Sequence, residues 1–307
     1  MSESRQYAKV SAIIATRNRP ELLRRAIDAI WNQDYKGEIE IVVVFDQCEP
    51  DETLVAEERN RSLKVTSNVR SQGLAGGRNS GVDYATGEWV AYCDDDDEWL
   101  PAKLSSQFTA IENTPGAKAA CTGIFINFEG EDTARIPDPK GVKLEDFIRD
   151  RMTEVHPSAW LVNREFLLNE VGYVDEEIPG GYAEDYDFIL RTVKRTTLAV
   201  ADAPLVRIYW HGASFFFERW KMIDEALQYL IEKHPEFADD PRGLARIKGQ
   251  QAVARAAMGD RKEALSAVVE VAKLNPLEKR NALALVVALG LPAEFALKQA
   301  HKIGKGI

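Results

Sequence analysis

The sequence predicts an α/β fold followed by a helical C-terminal region, on three observations. Short β-branched apolar runs alternate with helix-periodic segments from Val10 to Cys93. Polar and acidic residues, namely Asn18, Asp46 and the run Asp94 to Asp97, fall where apolar runs end. From Phe215 onward the signals are helical almost throughout. Strands alternating with helices build right-handed βαβ units on a mainly parallel sheet, and such sheets take ligands beyond the carboxyl ends of their strands.

Val10 to Ala15 reads as the first strand and Thr16-Arg17-Asn18-Arg19-Pro20 as the turn that ends it. In Glu21 to Trp31, Leu22, Leu23, Ala26, Ile27 and Ile30 recur at helical spacing, with Pro20 suited to a first helical turn. Ile39 to Phe45 is a second buried strand ending at Asp46. Asp51 to Asn60 reads as helical, Leu63 to Thr66 as a strand, Ala75 to Ala85 as a helix and Glu88 to Cys93 as the next strand. Ala117 to Val206 mixes strands and helices around a loop, Glu129 to Gly141, rich in charge and proline. In the C-terminal region Gly259-Asp260 separates two helices, and Asn275-Pro276 stops the second, Arg261 to Leu274. There Leu265, Val268, Val269 and Ala272 recur at helical spacing and are expected to pack in a core.

Hydrophobic residues at 45% and charged residues at 29% fit an ordinary globular protein. No apolar run is long enough to span a bilayer, and the opening Met-Ser-Glu-Ser-Arg does not read as a secretion signal. Cys48, Cys93 and Cys121 have neither disulfide-framework nor CxxC spacing, so a reducing cytoplasm is expected. A net charge of −10 disfavours unspecific binding to nucleic acid or to an anionic membrane, because both depend on a basic surface. Phe215 to Ile307 carries 15 Lys and Arg against 12 Asp and Glu, leaving 24 against 37 of the chain's 39 and 49 in the preceding residues. The acidic excess therefore lies in the α/β part.

Adjacent carboxylates repel one another, so Asp94-Asp95-Asp96-Asp97 after a buried strand calls for a cation or donors. Mg2+ or Mn2+ would serve, as ions that share their sites with phosphates; a solvated acidic turn is the plain alternative. Just upstream, Gly73, Gly76, Gly77 and Gly81 surround Arg78, whose forked donors suit a diphosphate, or else a structural ion pair. Neither a GxGxxG after the first strand nor a GxxxxGK[ST] segment is present, so a dinucleotide fingerprint and a P-loop are both excluded.

Together these segments resemble a family 2 glycosyltransferase of the GT-A fold. The resemblance rests on Val10 to Arg19, Val42 to Asp46, Gly73 to Asn79, Asp94 to Asp97 and Ala183-Glu184-Asp185-Tyr186-Asp187, in that order. It implies a GT-A nucleotide-sugar-binding domain over residues 1–214, with a donor part to about residue 116 and an acceptor part over 117–214. A helical extension, 215–307, follows.

It further implies that Thr16, Asn18, Arg19 and Asp46 hold the nucleotide and that Arg78 faces the diphosphate. Asp94 and Asp95 lie on the donor, and Asp96, Asp97 and His211 near the metal. Asp96 is favoured as ligand and Asp94 for the ribose, although Asp95 or Asp97 can take either role. Asp185 is the implied general base, while Asp187 fits helix capping. His156, before Pro157, reads as an acceptor-side loop residue.

The expected activity is metal-dependent inverting transfer from a nucleotide-diphosphate sugar, UDP-sugar favoured, to an acceptor hydroxyl or other nucleophile. A glycan, lipid-linked glycan, peptide or metabolite can be that acceptor. The helical extension is expected to organise the acceptor site or a homo-oligomer. Placement is cytoplasmic, with peripheral attachment at the inner membrane surface as an option. A nucleotidyltransferase and a noncatalytic binding or scaffold protein are the rival readings.

Overall fold

The computed structural model describes residues 7–140, 142–210 and 219–302. Its strands are β1 (Val10–Thr16), β2 (Ile39–Phe45), β3 (Ala56–Glu58), β4 (Arg61–Ser67), β5 (Trp89–Tyr92), β6 (Glu98–Trp99), β7 (Ala119–Phe128), β8 (Glu131–Arg135), β9 (Leu161–Asn163) and β10 (Leu198–Tyr209). They form one mixed sheet of order β3-β4-β2-β1-β5-β9-β7-β10-β6, with β8 hydrogen-bonded to β7. β4, β2, β1 and β5 run parallel, and β9 joins β5 and β7 antiparallel. In this register Ile13 lies opposite both Val42 and Tyr92, so β1, β2 and β5 end close together. β2 is buried along its whole length, which is why it reads as an unbroken apolar run.

The helices of the α/β part are α1 (Pro20–Trp31), α2 (Leu74–Tyr84) and α3 (Lys103–Glu112), then the short α4 (Leu144–Arg149) and α5 (Arg164–Phe166), and α6 (Glu184–Val193). α1 has Pro20 at its start and buries Leu23, Ala26, Ile27 and Ile30, the face its periodicity requires.

Two segments differ from expectation. Asp51 to Asn60 is not a helix: Asp51 caps a single turn at Glu52–Leu54, and Ala56–Glu58 then pairs antiparallel with β4. Leu54 is the one buried side chain of that turn, so a longer helix would have had almost nothing to bury. What forms instead is a short, charged, exposed edge strand. The expected loop Glu129 to Gly141 contains a hairpin, because Glu129 (φ 51°) and Gly130 (φ 90°) supply the two left-handed residues of a tight turn between β7 and β8.

Contacts divide the chain into two compact units: Met1–Leu144, Met152–Glu176 and Glu184–Gly212 in the first, Glu145–Arg151, Glu177–Ala183 and Ala213–Ile307 in the second. The second holds α7 (Trp220–Lys233), α8 (Pro241–Ala257), α9 (Arg261–Leu274), α10 (Lys279–Ala288) and α11 (Ala293–Lys302). Residues 145–151 join it because Arg149 bonds Asp240 at 2.9 Å and Gly243 lets α8 approach the Ile148 carbonyl.

The expected core face of α9 is corrected by the structure. Ala264, Ala267 and Val271 are buried and Val268 packs partly against them, whereas Leu265, Val269 and Ala272 are exposed. The small residues face inward, where they meet Ala252 and Ala256 of α8 in the same cluster.

Candidate active site

The candidate site lies where β1, β2 and β5 end, within the first unit. Thr16, the last residue of β1, is buried and its Oγ1 donates to Asp95 Oδ2 at 2.7 Å. Asn18 (φ 55°) turns the chain and is exposed. Arg19, half-exposed at the start of α1, reaches Asp95 Oδ1 at 3.1 Å and Asp96 Oδ2 at 3.0 Å through Nη1. Asp46, buried beyond β2, accepts from Gln47 Nε2 and Asn68 Nδ2, each at 2.8 Å, and from the Gly73 backbone at 3.1 Å. It thus pins the turn that leads into α2.

Arg78 is 3% exposed and fully engaged. Its Nη2 lies 2.6 Å from Asp94 Oδ1 and its Nη1 3.0 Å from Glu184 Oε1. Burial works to lower the guanidinium's pKa, but the Asp94 and Glu184 charges outweigh it and raise it. The glycines around Arg78 act on packing: a Cβ on Gly76 would stand 1.9 Å from the Ser71 carbonyl oxygen, and one on Gly81 2.3 Å from Ile13 Cγ2.

The four aspartates face different ways because Asp97 N donates back to Asp94 O at 3.1 Å, closing a turn. Asp95 turns to Thr16 and Arg19, and Asp96 to Arg19. Asp94, Asp97 and His156 converge, with potential ligand atoms all within 4.8 Å of one another. Ser158 fixes this arrangement: its Oγ donates to Asp97 Oδ2 at 2.5 Å and accepts from Asp94 N at 3.0 Å. Asp97 is buried, and that burial, with Asp94's charge, pushes its carboxyl well above the usual carboxylate range despite the Ser158 bond. Asp95 is raised too, by burial outweighing Thr16 and Arg19. Burial also opposes ionisation of Asp94, but Arg78 and then His156 outweigh it and hold it low. Two carboxylates and an imidazole, with ionisation of one acid opposed by burial and by its neighbour's charge, make a donor set that fits a divalent cation.

Asp185 is half-buried in the first turn of α6, where its Oδ1 accepts from Tyr186 N at 2.8 Å. Its charge acts on both Arg78 and Asp94. α6 is seated on aromatics: Phe188 stacks on Trp160 at 5.2 Å, and Tyr92 meets both rings edge-on. Asp187 is fully buried and bonds Arg191 Nε at 2.8 Å, while Arg191 also donates to the Val171 and Tyr173 carbonyls. That network anchors α6 within the unit, a larger part than capping. His211 lies outside the described residues.

The structure therefore groups Asp97 with Asp94 and His156, and leaves Asp96 on Arg19. Glu184 and Ser158 were missed as partners of Arg78 and Asp97. The sequence signals were the acidic pair at 184–185 and the His-Pro-Ser triplet at 156–158.

The family model described as "Glycosyl transferase family 2" matches residues 11–169, which include the strand ends and every member of the Asp94, Asp97 and His156 cluster. The chain belongs to glycosyl transferase family 2. Among its relatives is the uncharacterized glycosyltransferase MJ1057 of Methanocaldococcus jannaschii, 28% identical over 193 residues, 60% of this chain and 64% of that one. Another is the GalNAc(5)-diNAcBac-PP-undecaprenol beta-1,3-glucosyltransferase of Campylobacter jejuni, 40% identical over 102 residues, 32% of this chain and 33% of the other. The match thus spans less than two thirds of either relative.

The fold resembles that of S. aureus TarS 1-349, solved in complex with UDP-GlcNAc, at a TM-score of 0.61 and 17% identity, over 97% of this chain and 92% of TarS 1-349. It also resembles mannosyltransferase PcManGT from Pyrobaculum calidifontis, solved with GDP-Man and Mn2+, at a TM-score of 0.52 and 18% identity, over 97% of this chain and 81% of that one.

Proposed function

We propose that this glycosyltransferase transfers a sugar from a nucleoside-diphosphate sugar, UDP-sugar favoured, to an acceptor nucleophile with inversion at the anomeric carbon. The observation that carries the reading is the convergence of Asp94, Asp97 and His156 within 4.8 Å just beyond β5, beside the buried Arg78. These three residues would hold Mg2+ or Mn2+, which supplies Lewis-acid neutralisation of the diphosphate leaving group. Arg78, paired on both sides, positions Asp94 and Glu184 and leaves Arg19 as the half-exposed cation within reach of donor phosphates. Thr16, Asn18 and Asp46 line the base and ribose end. Asp185 accepts the proton of the attacking hydroxyl from the far side of the sugar.

Several relatives act, by their names, on diphosphoundecaprenol-linked sugars, which favours a lipid-linked glycan as acceptor. No helix among the described residues is long and apolar enough to cross a membrane. Peripheral attachment to the cytoplasmic membrane surface would bring the enzyme to such an acceptor.

The test is a panel of UDP- and GDP-sugars with candidate acceptors, read by nucleoside diphosphate release and by mass analysis of products. The reading expects acceptor-dependent UDP release that is lost in chelator. Pyrophosphate release from a nucleoside triphosphate would reassign the protein as a nucleotidyltransferase, and donor binding without turnover would make it a scaffold.

A further inference from the structure

α10 is apolar on two opposite faces. Leu283, Ala284, Val287 and Ala288 are buried in the helical unit's core. Ala282, Leu285, Val286 and Leu289, spaced as one outward stripe, are exposed, Leu289 at 72%. The apolar surface continues past the helix end: Leu291 is exposed in the turn and Phe295, in α11, is 52% exposed. An ordinary surface helix keeps such a stripe polar, and a run of large apolar side chains left in solvent marks an interaction surface.

The charge around it names the partner. No acid lies between Glu278 and Glu294, and residues 279–307 carry five Lys and Arg against one Glu, in a chain whose totals are 39 against 49. In a two-fold contact of this face with its own copy the basic segments would meet and repel. An anionic lipid surface attracts them, because it takes apolar side chains at the acyl boundary and basic residues at the headgroups.

We propose that α10, its C-terminal turn and α11 form the docking surface by which this protein lies on an anionic membrane. Leu285, Val286, Leu289, Leu291 and Phe295 enter the interface, and the segment's basic excess draws it to the headgroups. The proposal deepens the peripheral placement given above. It is read without catalysis, so its failure is distinct from failure of the transferase reading.

The test is co-sedimentation of the full chain with vesicles of phosphatidylcholine alone and of phosphatidylcholine with phosphatidylglycerol, at low and high salt. Binding should require phosphatidylglycerol and weaken as salt screens the headgroups. Combined Leu285→Glu, Leu289→Glu and Phe295→Glu substitutions, at positions already in solvent, should weaken partitioning by about tenfold or more while circular dichroism and nucleoside diphosphate release stay unchanged. The wild-type salt and lipid dependence needs no variant and stands if the triple variant misfolds. Absence of wild-type binding to the anionic vesicles, or equal binding by a folded triple variant, overturns the proposal. So does a solution dimer that the substitutions dissociate, which would make this a self-association face.

Discussion

Burial and the Asp94 charge both oppose ionisation of Asp97, and that sets how the site should respond to a cation. A metal binding there displaces a proton, so affinity must rise with pH above the ordinary carboxylate range. Calorimetric titration of Mn2+ should show binding that tightens as pH is raised, and Asp97→Asn should remove most of the affinity. A flat profile, or an Asn variant that binds Mn2+ as the wild type does, would place the cation elsewhere. The need for a cation was legible in four consecutive aspartates, but not which of them face it. That depends on the Asp97 to Asp94 backbone bond, in a turn that sends Asp95 to Thr16 and Arg19, Asp96 to Arg19 and Asp97 to Ser158. His156 was hidden for a related reason: β9 and its preceding turn carry it to β5 from a segment far along the chain, and a single histidine before a proline has no local pattern to announce it.

At the scale of elements, close packing explains glycines that the sequence offers equally well to a ligand. Gly76→Ala would drive a Cβ to 1.9 Å from the Ser71 carbonyl, a backbone atom that cannot swing away. Overpacking of this kind costs about 1–3 kcal/mol, so the denaturation midpoint should fall accordingly. An unchanged midpoint would show that α2 shifts freely. Glu40 links further elements: fully buried on β2, it accepts from Ser11 on β1, Lys64 on β4 and Thr86 after α2. Burial alone would raise its carboxyl, but the Lys64, Ser11 and Thr86 bonds outweigh it and hold it at about 2 against an ordinary 4.5.

Between those values the unfolded chain binds the proton and the folded one does not. Glu40's contribution is therefore complete above pH 4.5 and is lost as pH falls toward about 2. Glu40→Gln should lower stability near neutrality and flatten that acid limb in pH-dependent unfolding; an identical acid limb would deny Glu40 the role. Strand and helix order was legible where burial imposes period or continuity, as in β1, α1 and β2. It failed at Asp51 to Asn60, where an exposed, charged segment has no buried face to impose one, and at α9, where small alanines took the inward face from larger neighbours.

For the whole molecule, an α/β part holding the acidic runs with helices after it was legible in the sequence, because the acidic excess and the change in periodicity both mark the transition. The sequence did not reveal that residues 145–151 and 177–183 pack with the helical unit, since those contacts depend on pairs such as Arg149 with Asp240, distant along the chain. In the proposed division of labour Asp94, Asp97 and His156 would serve the cation and donor, and Asp185, in a separate segment on α6, the acceptor. The most direct test is Asp185→Asn, measured for both donor binding and turnover. An amide cannot take the acceptor's proton, so the account predicts unchanged UDP-sugar and Mn2+ affinity with kcat reduced by about 10²–10⁴-fold. Near-normal turnover would move the base elsewhere, with Glu184 beside Arg78 the first to examine, and loss of donor binding would place Asp185 in the nucleotide site and contradict the division.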